Sequence, residues 1–146
     1  HSEVTLPAIQ LLSRPKFHGA NLEYLRGHEH YRHGRNSECL VECLKAFEST
    51  MKIICQEKGW PFNPNKDTSS KLIAICLSNN LIPSSYQSQF TSLKSLLNDG
   101  IPTVRNRTSG HGQGAVPRTV NDDITRYGLN LTGSNIIFLV ELSGIN

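Results

Sequence analysis

Leu40, Leu44, Phe47, Met51 and Ile54 fall at alternating steps of four and three. That spacing lays one apolar stripe along a helix. It predicts a helix of roughly six turns, capped at Asn36 or Ser37 and stopped by Gly59 and Pro61. A stripe that long needs other helices to cover it. Leu22, Leu25 and Tyr31 punctuate a charged run from Asn21 to Gly34 and predict a helix before it. After the loop "NPNKDTSS", whose hydroxyl residues suit an N-cap, Leu72, Ile73, Ile75, Cys76 and Leu77 predict a short buried helix closed by Asn79-Asn80. Pro83-Ser84 restarts the chain. Tyr86, Phe90, Leu93, Leu96 and Leu97 predict an amphipathic helix ended by Asn98-Asp99-Gly100.

The last segment opens with Thr119 or Asn121 as a cap. Asp122 and Asp123 follow in its first turn, where negative charge suits the helix dipole. Ile124, Tyr127, Leu131 and Phe138 are read as its apolar face. The β-branched pair Ile136-Ile137 leaves a strand possible, but no partner strand is evident, and helix is favoured. Pro7, Pro15 and Gly19 give residues 1–19 no clear period; they read as an extended N-terminal arm or linker with room for one short element. The expected fold class is therefore all-α. About five helices bundle over residues 20–146, with a long Gly-rich loop before the last helix.

Composition changes this picture little. A chain of 146 residues makes one domain with a sizeable core. Three of the four cysteines, Cys39, Cys43 and Cys55, fall in the longest helix, and Cys76 in the next. They read as free buried thiols of a reducing compartment, since no zinc-type second pair accompanies Cys39/Cys43. The longest strongly apolar run, Ile136 to Val140, is far too short to span a bilayer. No signal-peptide pattern opens the chain. The start at His1-Ser2 without a Met reads as a fragment of a longer protein or the remnant of a cleaved tag.

Charge matters through its placement. The net charge is +3, and the segment from Gly100 to Asn121 carries Arg105, Arg107 and Arg118 with no acid. That points to a local anion site rather than a basic surface. Within it, "VRNRTSGHGQG" sets arginines, an asparagine and a histidine among glycines. On a continuous helix, Arg105 and His111 would point about 240° apart. Gly110 and Gly112 let the chain curl and bring the two side chains together. A guanidinium and an imidazole suit phosphodiester cleavage in RNA, where the substrate supplies its own 2′-OH nucleophile. His shuttles protons near neutral pH, and Arg steadies charge on the phosphoryl oxygens. Asn106 can bind a phosphate oxygen or orient either neighbour. No Asp/Glu cluster stands here to hold a metal, and none is expected; nor is any cofactor.

These residues resemble the Arg-Asn-x(4)-His form of the signature of HEPN-domain ribonucleases. "CLKAFESTMKIICQEKGW", "LLNDGIPTVRNRTSGHGQG" and "YGLNLTGSNIIFLVEL" resemble more closely the C-terminal domain of bacterial abortive-infection (Abi) proteins, over about Phe17 to Leu142. The resemblance implies a helical bundle that forms a homodimer, with two loops facing each other in a composite cleft. It also implies a cytoplasmic, metal-independent endoribonuclease of bacterial phage defence, toxin-like, acting on tRNA or mRNA. An antitoxin or sensor domain would be its partner. Arg105, Asn106 and His111 match the motif position by position. Arg107, Ser109 and Gln113 join them as substrate-binding residues on local chemistry alone.

Glu48 and Lys52 lie i,i+4 beside the apolar stripe. They read either as helpers that orient Arg105 or His111 and touch substrate, or as a plain surface ion pair. His28, His30 and His33 spread over different helix faces and read as polar surface rather than a metal site. Trp60, after Gly59, reads as a packing anchor. Two other functions fit the same loop. One is a non-catalytic RNA-binding or dimerisation module of a larger defence protein. The other is a small-nucleotide binder that uses the loop as an anion nest.

Overall fold

The computed structural model describes residues 2–99 and 120–146. Among these the chain is all-α: α1 (Ser2–Leu12), α2 (His18–Arg32), α3 (Asn36–Lys58), α4 (Ser69–Ser78), α5 (Gln87–Asp99) and α6 (Asp122–Ser143). Single 3-10 turns precede α2 at Pro15–Phe17 and α5 at Ser84–Tyr86.

α3 is the centre of the bundle, in contact with α2, α4, α5 and α6. Its predicted stripe is the core: Leu40, Phe47, Met51 and Ile54 are fully buried. Gly59 ends the helix in the left-handed region (φ 75°), and Trp60 N–H donates to the Cys55 carbonyl at 2.8 Å. Trp60 is half-buried against the core. The start of α3 differs from expectation. Arg35 is the N-cap, with no side-chain capping bond, and Asn36 reaches across to α6 instead.

The N-terminal arm is not extended. Residues 2–12 form α1, with Ala8 and Leu12 fully buried and the helix laid on α6. Pro7 sits inside it, so propensity argues against this helix; burial against α6 outweighs that. The Arg14 guanidinium donates to the Ile145 carbonyl at 2.6 Å and ties this end to the C-terminus.

The last helix is helical throughout, but its buried side is not the predicted one. Ile124 (43% exposed), Tyr127 (58%) and Phe138 (37%) face outward. The core side carries Thr125, Gly128, Leu129, Thr132, Gly133, Ile136, Leu139 and Val140. Small residues let α6 approach its neighbours closely: a Cβ on Gly128 would sit 2.8 Å from Leu40 Cδ2. The buried hydroxyls cost little, because each donates to its own helix. Thr132 Oγ1 bonds the Gly128 carbonyl at 2.7 Å, and Thr125 Oγ1 the Asn121 carbonyl at 2.8 Å.

All four thiols are free and buried. A hydrogen bond with Cys39 and burial push the Cys43 thiol up; a bond with Cys55 and burial do the same to Cys76. Both stay neutral packing groups.

Carboxylates line the seam between α2 and α3. Glu42 is 9% exposed, and its Oε2 and the Glu23 Oε1 are buried without a hydrogen-bond partner. Burial raises the Glu23 carboxyl above its ordinary value; Ser49 donates to it and lowers it in part, while Glu42 adds to the rise. A raised carboxyl favours the fold below its usual range, and that contribution is lost as pH climbs through the raised value. Glu23→Gln is therefore expected to gain stability relative to the parent as pH goes from about 4 to about 7. Urea midpoints at both pH values check this; a gap that does not widen refutes it.

Candidate functional site

The Gly-rich segment joins α5 to α6. Arg105, Asn106, Arg107, Ser109, His111 and Gln113 all lie outside the described residues. The helices that carry the segment are well anchored. Leu93 and Leu97 of α5 are fully buried. A Cβ on Gly128 of α6 would lie 3.7 Å from Leu97. At the other end, Phe90 of α5 packs on Phe138 of α6. The two helices therefore run antiparallel, with the segment at one end.

Where the chain re-enters the bundle, a polar cluster holds it. Asn121 is the N-cap of α6, its Oδ1 accepting from Ile124 N–H at 3.0 Å. Asn36 Nδ2 donates to the Val120 carbonyl at 2.9 Å and to Asp122 Oδ1 at 2.7 Å. Asn36 Oδ1 is buried without a partner. Arg126 bonds Asp123 at 2.8 Å and the Tyr31 hydroxyl at 3.3 Å. The start of α3 and the end of α2 thus fix the point at which the chain returns after residues 100–119. Sequence reasoning passed over Asn36 as an ordinary cap and over Arg126 altogether. Their partners are 84 and 95 residues away, and no local pattern announces such pairs.

Among the described residues, Glu48 bonds the start of α4 and Lys52 the loop before it. Glu48 Oε2 accepts from Ser69 N–H at 2.8 Å and from Ser69 Oγ at 2.6 Å, which caps α4. Thr68, the local N-cap, makes no side-chain capping bond. Lys52 Nζ donates to the Pro64 carbonyl at 3.0 Å. Along α3, Glu48 lies about 18 Å from Asn36. Glu48→Ala is expected to cost about 1–2 kcal/mol, the usual worth of a helix cap, and Glu48→Gln to keep most of it. Urea unfolding measures this. Unchanged stability with slower RNA cleavage would instead place Glu48 in the chemistry.

The histidines of α2 find ordinary partners. His33 Nε2 bonds Glu29 at 2.8 Å, and His30 Nδ1 accepts from Arg35 at 2.8 Å. Hydrogen bonds from Arg32 and His33 hold the Glu29 carboxyl below its usual range. Burial lowers the His28 imidazole. Among the described residues, no group of three or more His, Cys, Asp or Glu is placed to hold a metal.

Between α5 and α6 runs a groove of about 560 Å³ that reaches the core at Phe90. Tyr86, Phe90, Tyr127, Leu131 and Phe138 form its walls, and Gln89 and Asn135 are its amides. Among the described residues, no helix is long and apolar enough to cross a membrane.

Neither the curated proteins nor the solved structures offer a match to the chain. One protein-family model does match, Abi_C, described as a HEPN-like domain, over residues 18–143. The match begins at the first residue of α2, runs through α6 and takes in the whole "RNRTSGH" stretch. The all-α bundle is the architecture that the resemblance implies. The chain belongs to the Abi_C family of HEPN-like domains.

Proposed function

We propose that this protein is a metal-independent endoribonuclease whose chemistry rests on Arg105, Asn106 and His111. The observation that carries the reading is the Arg-Asn-x(4)-His motif inside the span matched as a HEPN-like domain. The substrate's 2′-OH attacks the adjacent phosphorus, and an imidazole takes its proton. The bond from phosphorus to the 5′ oxygen breaks, and that oxygen leaves with a proton from an imidazolium. The products are a 2′,3′-cyclic phosphate and a 5′-hydroxyl. Arg105 spreads two parallel N–H donors toward the phosphoryl oxygens, where negative charge grows. Asn106 positions a phosphate oxygen or the Arg105 side chain. Arg107, Ser109 and Gln113 hold the flanking nucleotides.

One base and one acid are needed, and a pair of copies supplies both from two loops. The composite site is therefore a homodimer site. In a bacterial cell the activity would halt growth on phage infection by cutting tRNA or mRNA, held in check by an antitoxin or a sensor domain.

The test is direct. Purified protein is incubated with total RNA, with and without EDTA, and the fragment ends are mapped. Fragments with 2′,3′-cyclic phosphate ends, formed equally in EDTA, are expected. RNA bound but left whole would overturn catalysis and favour a docking module. Loss of cleavage in EDTA would overturn the metal-free mechanism.

A further inference from the structure

At the far end of α3 from Asn36, a second hollow of about 350 Å³ opens between the start of α2, the later turns of α3 and the loop that follows them. Along α3, Lys52 lies about 24 Å from Asn36, which holds the chain where it returns after residues 100–119. Lys16, His18 and Lys52 line the hollow, and among the described residues no Asp or Glu does. The cations differ in how far they are compensated. Lys16 Nζ pairs with Glu57 at 2.6 Å. Lys52 Nζ bonds a neutral group, the Pro64 carbonyl at 3.0 Å, and among the described residues no carboxylate pairs with it. Uncompensated positive charge therefore remains at Lys52, with the His18 imidazole on the same lining. A compact ammonium beside a ring N–H suits a phosphate group.

A bare phosphate would not need the rest of the lining. Ile53 and Phe62, both half-buried, give an apolar wall. The Gln56 amide offers a donor and an acceptor together. An aromatic face stacks any nucleobase, and polar side chains can read the base's edge. The volume is near the lower end of the range of about 300–1,000 Å³ for small-ligand sites, which leaves room for one nucleotide. The walls are also set in advance. Asn63 N–H donates to Asp67 Oδ2 at 2.8 Å, and Asn63 Oδ1 accepts from Asn65 N–H at 3.0 Å and Lys66 N–H at 3.1 Å. These bonds brace the loop that carries Phe62 and Pro64, so little ordering is left for a ligand to impose. On the opposite wall the backbone is bare at Gly19, where an added Cβ would meet nothing within 4 Å.

We propose that this hollow binds one nucleotide, with its phosphate on Lys52 and His18 and its base against Phe62. The nucleotide is a free nucleoside monophosphate or a single residue of an RNA chain; the chemistry of recognition is the same. The site goes beyond the ribonuclease reading and does not depend on it. With RNA as the source, it is an anchor for the strand remote from Asn36 and the return of the chain into α6.

The test uses the whole chain. Isothermal titration calorimetry takes AMP, UMP and inorganic phosphate as probes, and an uncleavable 2′-deoxy RNA forms the second arm. Two variants are compared with the parent, each checked for folding by circular dichroism. Lys52→Gln removes the free charge. Gly19→Leu keeps every charge and fills the space. Each is expected to raise the dissociation constant at least about tenfold, the worth of one hydrogen bond to a charged group. Mononucleotides bound by the parent and weakened by both variants assign the site to free nucleotide. RNA weakened by both variants, with mononucleotides unbound, assigns it to an RNA residue. Phosphate bound as tightly as AMP and UMP would overturn the base contact. A parent that binds no probe, or binding that either variant leaves unchanged, would overturn the site. RNA cleavage is followed in the same samples. Nucleotide binding lost in both variants, in a parent that never cuts RNA, would sink the ribonuclease reading and keep this site. RNA cleavage alongside nucleotide binding that the variants leave unchanged would do the reverse.

Discussion

Replacing His111 with alanine is expected to cut the rate of RNA cleavage by about 10²–10⁴-fold, the usual worth of a general acid–base group. RNA binding and the unfolding midpoint should barely move. The argument is one of chemistry: the 2′-OH is a poor nucleophile until its proton has a destination, and the departing 5′ oxygen is a poor leaving group until it receives one. Imidazole is the side chain that performs both tasks near neutral pH. Arg105→Lys makes the companion measurement. It keeps the positive charge but loses the two-pronged donor geometry, so cleavage should fall while RNA binding falls little. Single-turnover cleavage of a labelled RNA, with binding measured on uncleavable 2′-deoxy RNA, separates the two effects. Undiminished cleavage by the His111→Ala protein would end the proposed mechanism.

The second large effect is on the fold. Gly133→Leu is expected to destabilise the protein by about 3 kcal/mol, the upper range for an overpacked core. Even a Cβ there would collide with the Tyr24 hydroxyl and come within 2.8 Å of Val4 Cγ1. Tyr24 is fully buried and donates to the Leu129 carbonyl at 3.2 Å, so it has little room to withdraw. The remaining escape is outward movement of α1, which carries Val4. Gly133→Ala should cost less, since it recovers roughly 1 kcal/mol of helix propensity. Urea titration of both variants checks the ranking. A Leu variant as stable as the parent would mean that α1 does not press on α6 at this point.

How much of this was legible in the sequence depends on where each residue's partners lie. The stripe from Leu40 to Ile54 was readable because its period alone specifies a buried helix face. Gly59 and the Asn79-Asn80 pair marked helix ends correctly, Asn80 at φ 61°. The inner side of α6 was hidden because glycines and threonines carry no hydrophobic signal. They are buried for the room they leave, and only the neighbours show that room. The larger Tyr127 and Phe138 drew the prediction to the wrong side for the same reason. α1 was hidden by Pro7, whose local cost is outweighed by burial that no local window contains. At the candidate site, Arg105, Asn106 and His111 lie outside the described residues, so their reading rests on the sequence motif alone. The grip of Asn36 on Val120 and Asp122 was not readable, since that pairing exists only once α3 and α6 are side by side.

The capping of α4 by Glu48 carries a consequence for how the bundle opens. The first amide of α4 is shielded by a carboxylate borrowed from α3, so the helix cannot keep that end closed by itself. Hydrogen exchange at Ser69 then reports separation of the two helices rather than local fraying. In that sense, the start of α4 opens only when α4 parts from α3.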